Sequence, residues 1–333
     1  MSESSAVSHA ASVQALAEAD FSEIADSFAN AGFQVRLPAK GILQIISRST
    51  VKRLRLLLSV GVHGDETAPI EMLAHLLQEL AGAPHALQVD LMVVVGNLAA
   101  IAQGRRYLEA DLNRLFTAER GELQAVAEAE RADAIMRATA AFFSVEEDEK
   151  WHLDLHTAIR KSHYPTFAIV PDLIADRAKR NLTVWLGGAG IGAIILNSKL
   201  APTYSAYTAI QFGAASCTAE LGQIGLLGSN DLSQFAVTSA AIDTLLRSGG
   251  TLPFRNTMPH VFQVAQEIVK RSEDFQLNFD RSTQNFTPLE PGALIATDAI
   301  GPYRVGSATE YVVFPNPEVR VGQRAGLMVV RRA

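Results

Sequence analysis

The feature that most constrains the fold of this chain is a regular alternation of apolar, strand-like runs with helix-like stretches between residues 54 and 249. The predicted strands cover residues 54–62, 89–96, 152–157 and 167–170 and surround Ile194 and Ser216, and the predicted helices cover 68–80, 121–143, 175–186 and 231–246. Such an alternation is typical of an α/β layer structure. We therefore expect an α/β fold with a sheet flanked by helices.

The character of the sequence changes after Gly249 and Gly250. Short runs such as VFQVAQEIV, ALIATD, YVVFP and GLMVV follow, rich in β-branched and aromatic residues and separated by Pro, Gly and Asn. This pattern predicts a catalytic domain over residues 1–250 and a small β-rich domain over residues 251–333.

The composition argues against several classes of partner. With a formal net charge of -6 and an isoelectric point near 5.8, the chain offers no broad positive surface to nucleic acid or to an anionic membrane. Its longest apolar runs are about half the length of a membrane-spanning helix. Cys217 is the only cysteine, so no intrachain disulfide forms and a cytoplasmic location is expected. The sequence contains no heptad pattern from which an oligomeric state could be predicted.

A first pair of metal-binding residue types follows the strand predicted at 54–62. His63 and Glu66 lie between this strand and the helix predicted at 68–80, with Gly61 and Gly64 permitting a tight turn. An imidazole and a carboxylate at this spacing are able to converge on one ion. The alternative is that His63 merely caps or hydrogen-bonds the loop, and that the negative charge of Glu66 stabilises the helix N-terminus.

A second segment, KWHLDLHTAIR, alternates polar and apolar residues. In a strand, His152, Asp154 and His156 would therefore point to one face. His63, Glu66 and His156 together make a set of three ligands that leaves a fourth zinc position open, which is typical of catalytic zinc. Asp154 would accept a hydrogen bond from a ligand imidazole, or it is simply a polar residue at a strand end.

Two further features suggest chemistry on an anionic substrate. Glu220 interrupts the apolar run CTAELG, so its carboxylate is either paired structurally or placed in a cleft for acid-base work. The segment QGRRYLEADLNRLF holds Arg105, Arg106, Asn113 and Arg114 within ten positions, among apolar residues. Arginine suits the bidentate binding of carboxylates, and Arg160 follows His156 closely enough to join this group.

A glycine-rich stretch, WLGGAGIGAII, superficially resembles a dinucleotide-binding loop. Gly188, Gly190 and Gly192 are predicted to end a helix and lead into a strand, which is the reverse of the order that a phosphate-binding loop requires. No nucleotide cofactor is expected.

These motifs together resemble the zinc-dependent succinylglutamate desuccinylase and aspartoacylase family, which is related to the metallocarboxypeptidases. The resemblance extends from about Gly41 to the C-terminus, whereas residues 1–39 are divergent. The motifs that carry it are GVHGDETAPIEML, QGRRYLEADLNRLF, WHLDLHTAIR, CTAELG, NDLSQFAVT, EYVVFPNP and RAGLM. The resemblance implies a zinc carboxypeptidase-like mixed sheet and one Zn²⁺ per subunit.

The resemblance also implies a role for each matching residue. His63, Glu66 and His156 match the zinc ligands, and Glu220 matches the general base. Arg106 matches the arginine that stabilises the oxyanion. The residues implied to contact the substrate are Asn113, Arg114, Arg160 and Tyr311.

The reaction implied by the resemblance is hydrolysis of N-succinyl-L-glutamate to succinate and L-glutamate, the last step of the arginine succinyltransferase route. The ligands and the base do not encode the acyl group, so deacylation of another N-acyl amino acid, as by an aspartoacylase, is an alternative. A non-catalytic metal-binding or ligand-sensing protein on the same scaffold is a second alternative. Retention of Glu220 and Arg106 argues against it, because a sensor needs neither a base nor an oxyanion partner.

Overall fold

The computed structural model describes residues 3–49, 51–146, 148–250, 257–280 and 282–332, with the backbone alone for residues 3–8. The α-helices are α1 (Glu3–Ala17), α2 (Ser22–Asn30), α3 (Ala68–Ala81), α4 (Leu98–Ala102), α5 (Ala127–Phe142), α6 (Asp176–Gly188), α7 (Tyr204–Phe212) and α8 (Ala236–Ser248). Short 3₁₀ helices cover Pro84–Ala86, Leu112–Arg114, Gly121–Ala125 and Leu232–Phe235. The strands are β1 (Gln34–Ala39), β2 (Ile42–Ile46), β3 (Arg55–Val60), β4 (Asp90–Val95), β5 (Lys150–Ala158), β6 (Thr166–Pro171), β7 (Ala193–Asn197), β8 (Ala215–Gln223), β9 (His260–Val269), β10 (Gln276–Leu277), β11 (Thr287–Leu289), β12 (Leu294–Asp298), β13 (Gly301–Arg304), β14 (Glu310–Val313) and β15 (Arg324–Arg331).

Within the described ranges, twelve strands form one mixed sheet in the order β1-β2-β4-β3-β5-β8-β6-β7-β9-β15-β14-β11. The strands β4, β3, β5 and β8 are parallel neighbours at its centre, whereas β6 runs antiparallel to β8. Because β9 pairs in parallel with β7, four strands after residue 257, namely β9, β15, β14 and β11, extend the same sheet. A second sheet contains β10, β12 and β13. The predicted fold class, a mixed α/β sheet with a β-rich C-terminal part, is confirmed.

The central strands are apolar on both faces because helices cover both. Leu56 and Leu58 on β3 pack in one buried cluster with α3, while Leu57 packs on the opposite face with residues of α5 and α7. Near-continuous apolar strands are expected when a parallel sheet is covered on both sides. Ser59 is a buried polar exception on β3, and it contacts the site described below.

Residues 3–39, part of the segment that the sequence pattern left without a functional assignment, build one edge of the large sheet and pack beside it. Helix α1 packs on α3, and β1 pairs with β2 to extend the sheet beyond β4. The predicted boundary between residues 250 and 251 adjoins positions 251–256, which lie outside the described residues, and it stays a prediction. In the described part of the chain, no helix combines the length and apolarity needed to cross a bilayer.

Candidate active site

Four of the predicted functional residues meet at the carboxyl edge of three neighbouring parallel strands. His63 and Glu66 lie in the loop between β3 and α3, His156 lies near the end of β5, and Glu220 lies on β8. Ligand atoms of His63, Glu66 and His156 all fall within 4.8 Å of one another. All three residues are buried. Strand ends of this kind commonly form binding crevices in α/β sheets.

Two glycines allow the loop after β3 to turn so tightly. Gly61 adopts a φ of 63°, in the left-handed region that glycine occupies readily. At Gly64 a β-carbon would lie 2.3 Å from the backbone of Ala100 and 2.6 Å from the carbonyl oxygen of Arg105. The backbone N–H of Gly64 also donates to the carbonyl oxygen of Arg106 at 3.1 Å. The absence of a side chain at Gly64 therefore brings the arginine-containing segment against the His63 loop.

The carboxylate of Glu66 lies between the two imidazoles. Its Oε1 is 2.9 Å from Nδ1 of His63, and its Oε2 is 2.8 Å from Nδ1 of His156. The backbone N–H of Thr157 donates to the same Oε2 at 3.1 Å. Both Nδ1 atoms and the carboxylate thus face one common point.

Each imidazole is oriented by a second carboxylate on its far side. Nε2 of His63 is 2.9 Å from Asp111 Oδ1, and Nε2 of His156 is 3.0 Å from Asp154 Oδ2. Since an ionised carboxylate only accepts hydrogen bonds, Nε2 of each ring donates to its outer carboxylate, and a cation bound at Glu66 would take the place of the proton on each Nδ1. Asp154 also accepts a hydrogen bond from the hydroxyl of Ser59. The predicted orienting position of Asp154 is therefore observed, and Asp111 plays the same part for His63.

Charges within this cluster shift the pKa of its members. Burial alone would raise the pKa of Glu66, but the two imidazoles lower it well below its usual value. Burial would likewise lower the pKa of His156, but Asp154 and Glu66 raise it well above the ordinary range. In Asp111, burial is again outweighed, here by the positive charges of His63 and Arg114, and the pKa is lowered. The carboxylates therefore remain ionised, as a cation site requires.

Glu220 has the opposite electrostatic environment. It pairs in register with His156 on the adjacent strand, it is buried, and it lines the cleft. Burial, reinforced by the negative charge of Glu66, raises its pKa to about 7. Of the two alternatives that the sequence left open, the structure thus favours a carboxylate in a cleft, where it is able to exchange protons near neutral pH.

Three of the four residues singled out in the segment QGRRYLEADLNRLF, namely Arg106, Asn113 and Arg114, border the same cleft. Nη1 of Arg106 donates to Glu66 Oε1 at 2.7 Å, which places its guanidinium beside the ligand cluster. Oδ1 of Asn113 accepts from the backbone N–H of Tyr204 at 2.9 Å, so this side chain is fixed at the start of α7. Arg114 is more exposed, and its Nη2 is 3.7 Å from Asp111 Oδ2. The fourth member, Arg105, is absent from the lining of the cleft in the described structure.

The cleft has a volume of about 1050 Å³ and receives residues from both halves of the chain. Arg160 lines it and donates to the backbone carbonyl oxygens of Asp280 and Thr283 at 3.3 and 3.4 Å. Tyr311, which was expected to border the pocket, is absent from the lining of the described cleft. Its ring packs in an apolar cluster 5.3 Å from that of Phe262, and the described cleft is lined by the residues that follow β14 instead.

Sequence reasoning missed two residues of the site. Asp111 lies within the segment that was singled out, but only the fold shows that it reaches His63. Thr157 follows His156 and is buried, and its hydroxyl lines the cleft without a hydrogen-bond partner among the described residues. Its position directly after a predicted ligand on a strand was the only signal that the sequence offered.

The donor set fits zinc. Two imidazole nitrogens and one carboxylate oxygen are the usual protein ligands of a catalytic zinc, and structural zinc sites more often use cysteine. The pairing of each histidine with an outer carboxylate, Asp111 or Asp154, is the arrangement by which proteins orient metal-binding imidazoles. Cys217 is buried in the apolar core and takes no part.

The fold and this site define a class, the hydrolases built on a carboxypeptidase-like mixed sheet flanked by helices, and sequence comparison identifies the family. The Succinylglutamate desuccinylase/Aspartoacylase catalytic domain matches residues 52–246, and the AstE/AspA barrel-sandwich hybrid domain matches residues 257–332. A succinylglutamate desuccinylase of Burkholderia thailandensis is 42% identical over 294 residues, covering 87% of this chain and 84% of that protein. The chain belongs to the succinylglutamate desuccinylase/aspartoacylase family, a family of deacylases.

Solved structures agree with this assignment. A succinylglutamate desuccinylase from Chromobacterium violaceum is 34% identical with a TM-score of 0.79, covering 93% of this chain and 98% of that one. Another, from Vibrio cholerae, is 30% identical with a TM-score of 0.82, covering 90% and 88%. Murine aminoacylase 3, at 21% identity and a TM-score of 0.56 over 85% of this chain and 97% of that one, shares the fold.

Proposed function

We propose that this protein hydrolyses the amide bond of N-succinyl-L-glutamate, releasing succinate and L-glutamate, with one Zn²⁺ held by His63, Glu66 and His156. In the cell this would be the last step of the arginine succinyltransferase route, in the cytoplasm. The observation that carries the proposal is the position of Glu220 next to His156, which puts a base of raised pKa beside a set of metal ligands. Relatives named succinylglutamate desuccinylase support the choice of substrate.

The chemistry divides between the ion and the protein. When bound, zinc supplies a Lewis acid that lowers the pKa of water to about 7 and polarises the amide carbonyl. Glu220 takes the proton of the attacking water and passes it to the amide nitrogen as the C–N bond breaks. Arg106, beside the cluster, stabilises the negative charge that develops on the carbonyl oxygen. The oxygen of the water thus becomes bonded to the acyl carbon, and the nitrogen leaves as an amine that carries the proton taken from the water.

The charge distribution of the cleft supports an anionic substrate. Seven arginine and lysine residues line the cleft in the described structure, namely Arg106, Arg114, Arg160, Lys161, Lys199, Arg320 and Arg324, and they outnumber the five aspartates and glutamates of the same lining. N-succinylglutamate carries three carboxylates, and arginine binds carboxylates through paired N–H donors. Asn113 and Arg114 would bind one carboxylate of the substrate, with Asn113 held in place by its contact to α7.

A panel assay tests the proposal. The zinc-loaded protein is given N-succinyl, N-acetyl and N-formyl derivatives of glutamate, aspartate and ornithine, and release of the free amine is measured. We expect the highest kcat/KM for N-succinylglutamate. A preference for N-acetylaspartate would show that the protein is a deacylase of the proposed chemistry with a different substrate. No hydrolysis of any compound in the panel would contradict the deacylase proposal.

A further inference from the structure

Arg324 is a cationic residue of the cleft to which the proposed chemistry gives no role. It begins β15, in the C-terminal part of the chain, and it lines the same cleft as His63, Glu66 and His156. Its side chain is 28% exposed. Within the described ranges its guanidinium makes no hydrogen bond, and its one ion pair, with Glu267, is long at 3.9 Å. A partly buried guanidinium with five donors therefore has little to bind in the protein itself.

The acid nearest to Arg324 is shared with another cation. Nζ of Lys199 lies 3.0 Å from Oε2 of Glu267, and Arg324 reaches only Oε1 of the same carboxylate. The single carboxylate of Glu267 is thus shared by two cationic side chains. Lys199, like Arg324, lines the cleft. This corner of the cleft consequently carries an excess of positive charge.

A third cation increases the excess. Burial lowers the pKa of Arg324 to about 10, and the positive charge of Arg114 adds to this effect against the opposing charges of Glu267 and Asp111. Arg114 donates to the carbonyl oxygen of Asn113 at 2.9 Å, and its ion-pair partner Asp111 is 3.7 Å away and is already engaged by His63 at 2.9 Å. Like charges gathered in a partly buried place destabilise one another unless an anion lies between them.

We infer that Arg324 and Lys199 bind the side-chain carboxylate of the glutamate half of the substrate, while Asn113 and Arg114 bind its α-carboxylate. The inference rests on the proposed function and assigns the amino-acid specificity of the same site. In N-succinylglutamate the succinyl half has one free carboxylate, whereas the glutamate half has two, separated by a short carbon chain. Two neighbouring cationic positions, Arg114 and Arg324, match the half with two carboxylates.

The assignment makes the C-terminal part of the chain responsible for selecting a dicarboxylic amino acid. A substrate with a neutral amide in place of the side-chain carboxylate would leave Arg324 without its anion. An exchange of the acyl group would leave the contact between Arg324 and the substrate unchanged. The effect of changing the amino-acid half and the effect of changing the acyl half therefore show which half Arg324 binds.

The test compares the zinc-loaded full chain with its Arg324→Gln variant on N-succinylglutamate, N-succinylglutamine and N-acetylglutamate. For both glutamate compounds we expect kcat/KM to fall about 10- to 100-fold, mainly through KM, because a charge-assisted contact is lost. For N-succinylglutamine we expect a change of less than about 3-fold, since that substrate makes no such contact. Calorimetry of L-glutamate binding should show a parallel weakening, with L-glutamine binding unchanged.

A matched control is available on the same strand. Arg331 ends β15, is exposed and contacts His260, so Arg331→Gln removes the same charge far from the cleft and should leave all these values unchanged. An equal loss of kcat/KM on all three compounds would overturn the inference. So would a loss on the two N-succinyl compounds that spares N-acetylglutamate. If the unmodified protein hydrolysed none of them, the proposed function would fail. L-glutamate binding would still decide the role of Arg324, because unweakened binding to Arg324→Gln contradicts it.

Discussion

His156 and Glu220 lie opposite each other on the adjacent parallel strands β5 and β8. Through this register an imidazole of the proposed metal site and a buried carboxylate reach the same edge of the sheet, although they are 64 residues apart in the chain. A shift of one residue in the pairing would turn Glu220 to the other face of the sheet. The strand pairing itself therefore assembles the proposed catalytic pair.

Replacing Glu220 with Gln should abolish most of the hydrolysis while leaving the fold and the metal site intact. Gln keeps the size of the side chain but cannot accept the proton of water, so we expect kcat to fall about 10²- to 10⁴-fold. Thermal unfolding and zinc content serve as controls and should match those of the unmodified protein. Retention of more than about a tenth of kcat would show that another group is the base.

The pH profile of the unmodified enzyme should report the same residue. Glu220 works as a base only when ionised, so kcat/KM should rise with pH on the acid side and level off above the pKa of Glu220. That pKa is raised to about 7 by burial and by Glu66, and a cation bound at the neighbouring ligands would lower it. The acid limb should therefore lie at or below pH 7 in the zinc-loaded protein and be absent from the residual activity of Glu220→Gln.

Removal of the metal should inactivate and destabilise the protein. A chelator should abolish hydrolysis, added zinc should restore it, and the melting temperature should rise with zinc concentration because the ion binds only the folded state. Glu66→Gln should lose most of its zinc affinity, since one of three ligands loses its charge. Glu79→Gln, an exposed change on α3, is the control. Equal zinc binding by the two variants would exclude Glu66 as a ligand.

The sequence was sufficient to find the residues whose chemistry is unusual for their surroundings. A histidine pair on one face of a strand and a lone carboxylate in the apolar run CTAELG are such anomalies, and His156 and Glu220 are where they were expected. The strands and helices were likewise predictable from periodicity. The order of strands was not, since nothing local shows that β6 runs antiparallel to β8 or that β9 joins β7.

The residues that sequence reasoning missed or misplaced depend on long-range contacts. Asp111 is 48 positions from His63 and is an ordinary polar residue until the fold joins them. Tyr311 lies outside the lining of the described cleft for a related reason, because the partners of a short strand decide which way its side chains point. The side chain packs against Phe262 on β9, a contact that residue type alone does not predict. Local pattern identifies candidate groups, and tertiary packing selects among them.

The contact between Asp111 and His63, which only the structure shows, leads to a prediction about zinc affinity and activity. In Asp111→Asn, the side chain still caps the short 3₁₀ helix Leu112–Arg114 but no longer holds the N–H of His63 with a full charge. We expect zinc affinity or kcat/KM to fall about 10- to 100-fold, as is usual when the outer partner of a metal-binding histidine is changed. Asp231→Asn is the matched control, because Asp231 caps the 3₁₀ helix Leu232–Phe235 in the same way. Comparable effects of the two substitutions would point to helix capping instead.

His152 should make the protein sensitive to mild acid. Burial lowers its pKa to about 4, and its ring nitrogens lie 2.8 Å from the hydroxyls of Ser59 and Thr208. The unfolded chain takes up a proton at this histidine below about pH 6.5 and the folded chain does not, so its contribution to stability is present above pH 6.5 and is lost as pH falls toward 4.

Comparison with His152→Gln isolates this contribution. Denaturant unfolding of both proteins in chelator, between pH 7 and pH 4, should show the unmodified chain losing up to about 3 kcal/mol more unfolding free energy than the variant. Titration of the other groups cancels to a first approximation in the difference, because both proteins contain them. His85→Gln, a change at an exposed histidine, should follow the unmodified protein. Parallel stability curves for the unmodified protein and His152→Gln would mean that His152 is protonated in the folded state, with Ser59 and Thr208 accepting its two N–H groups.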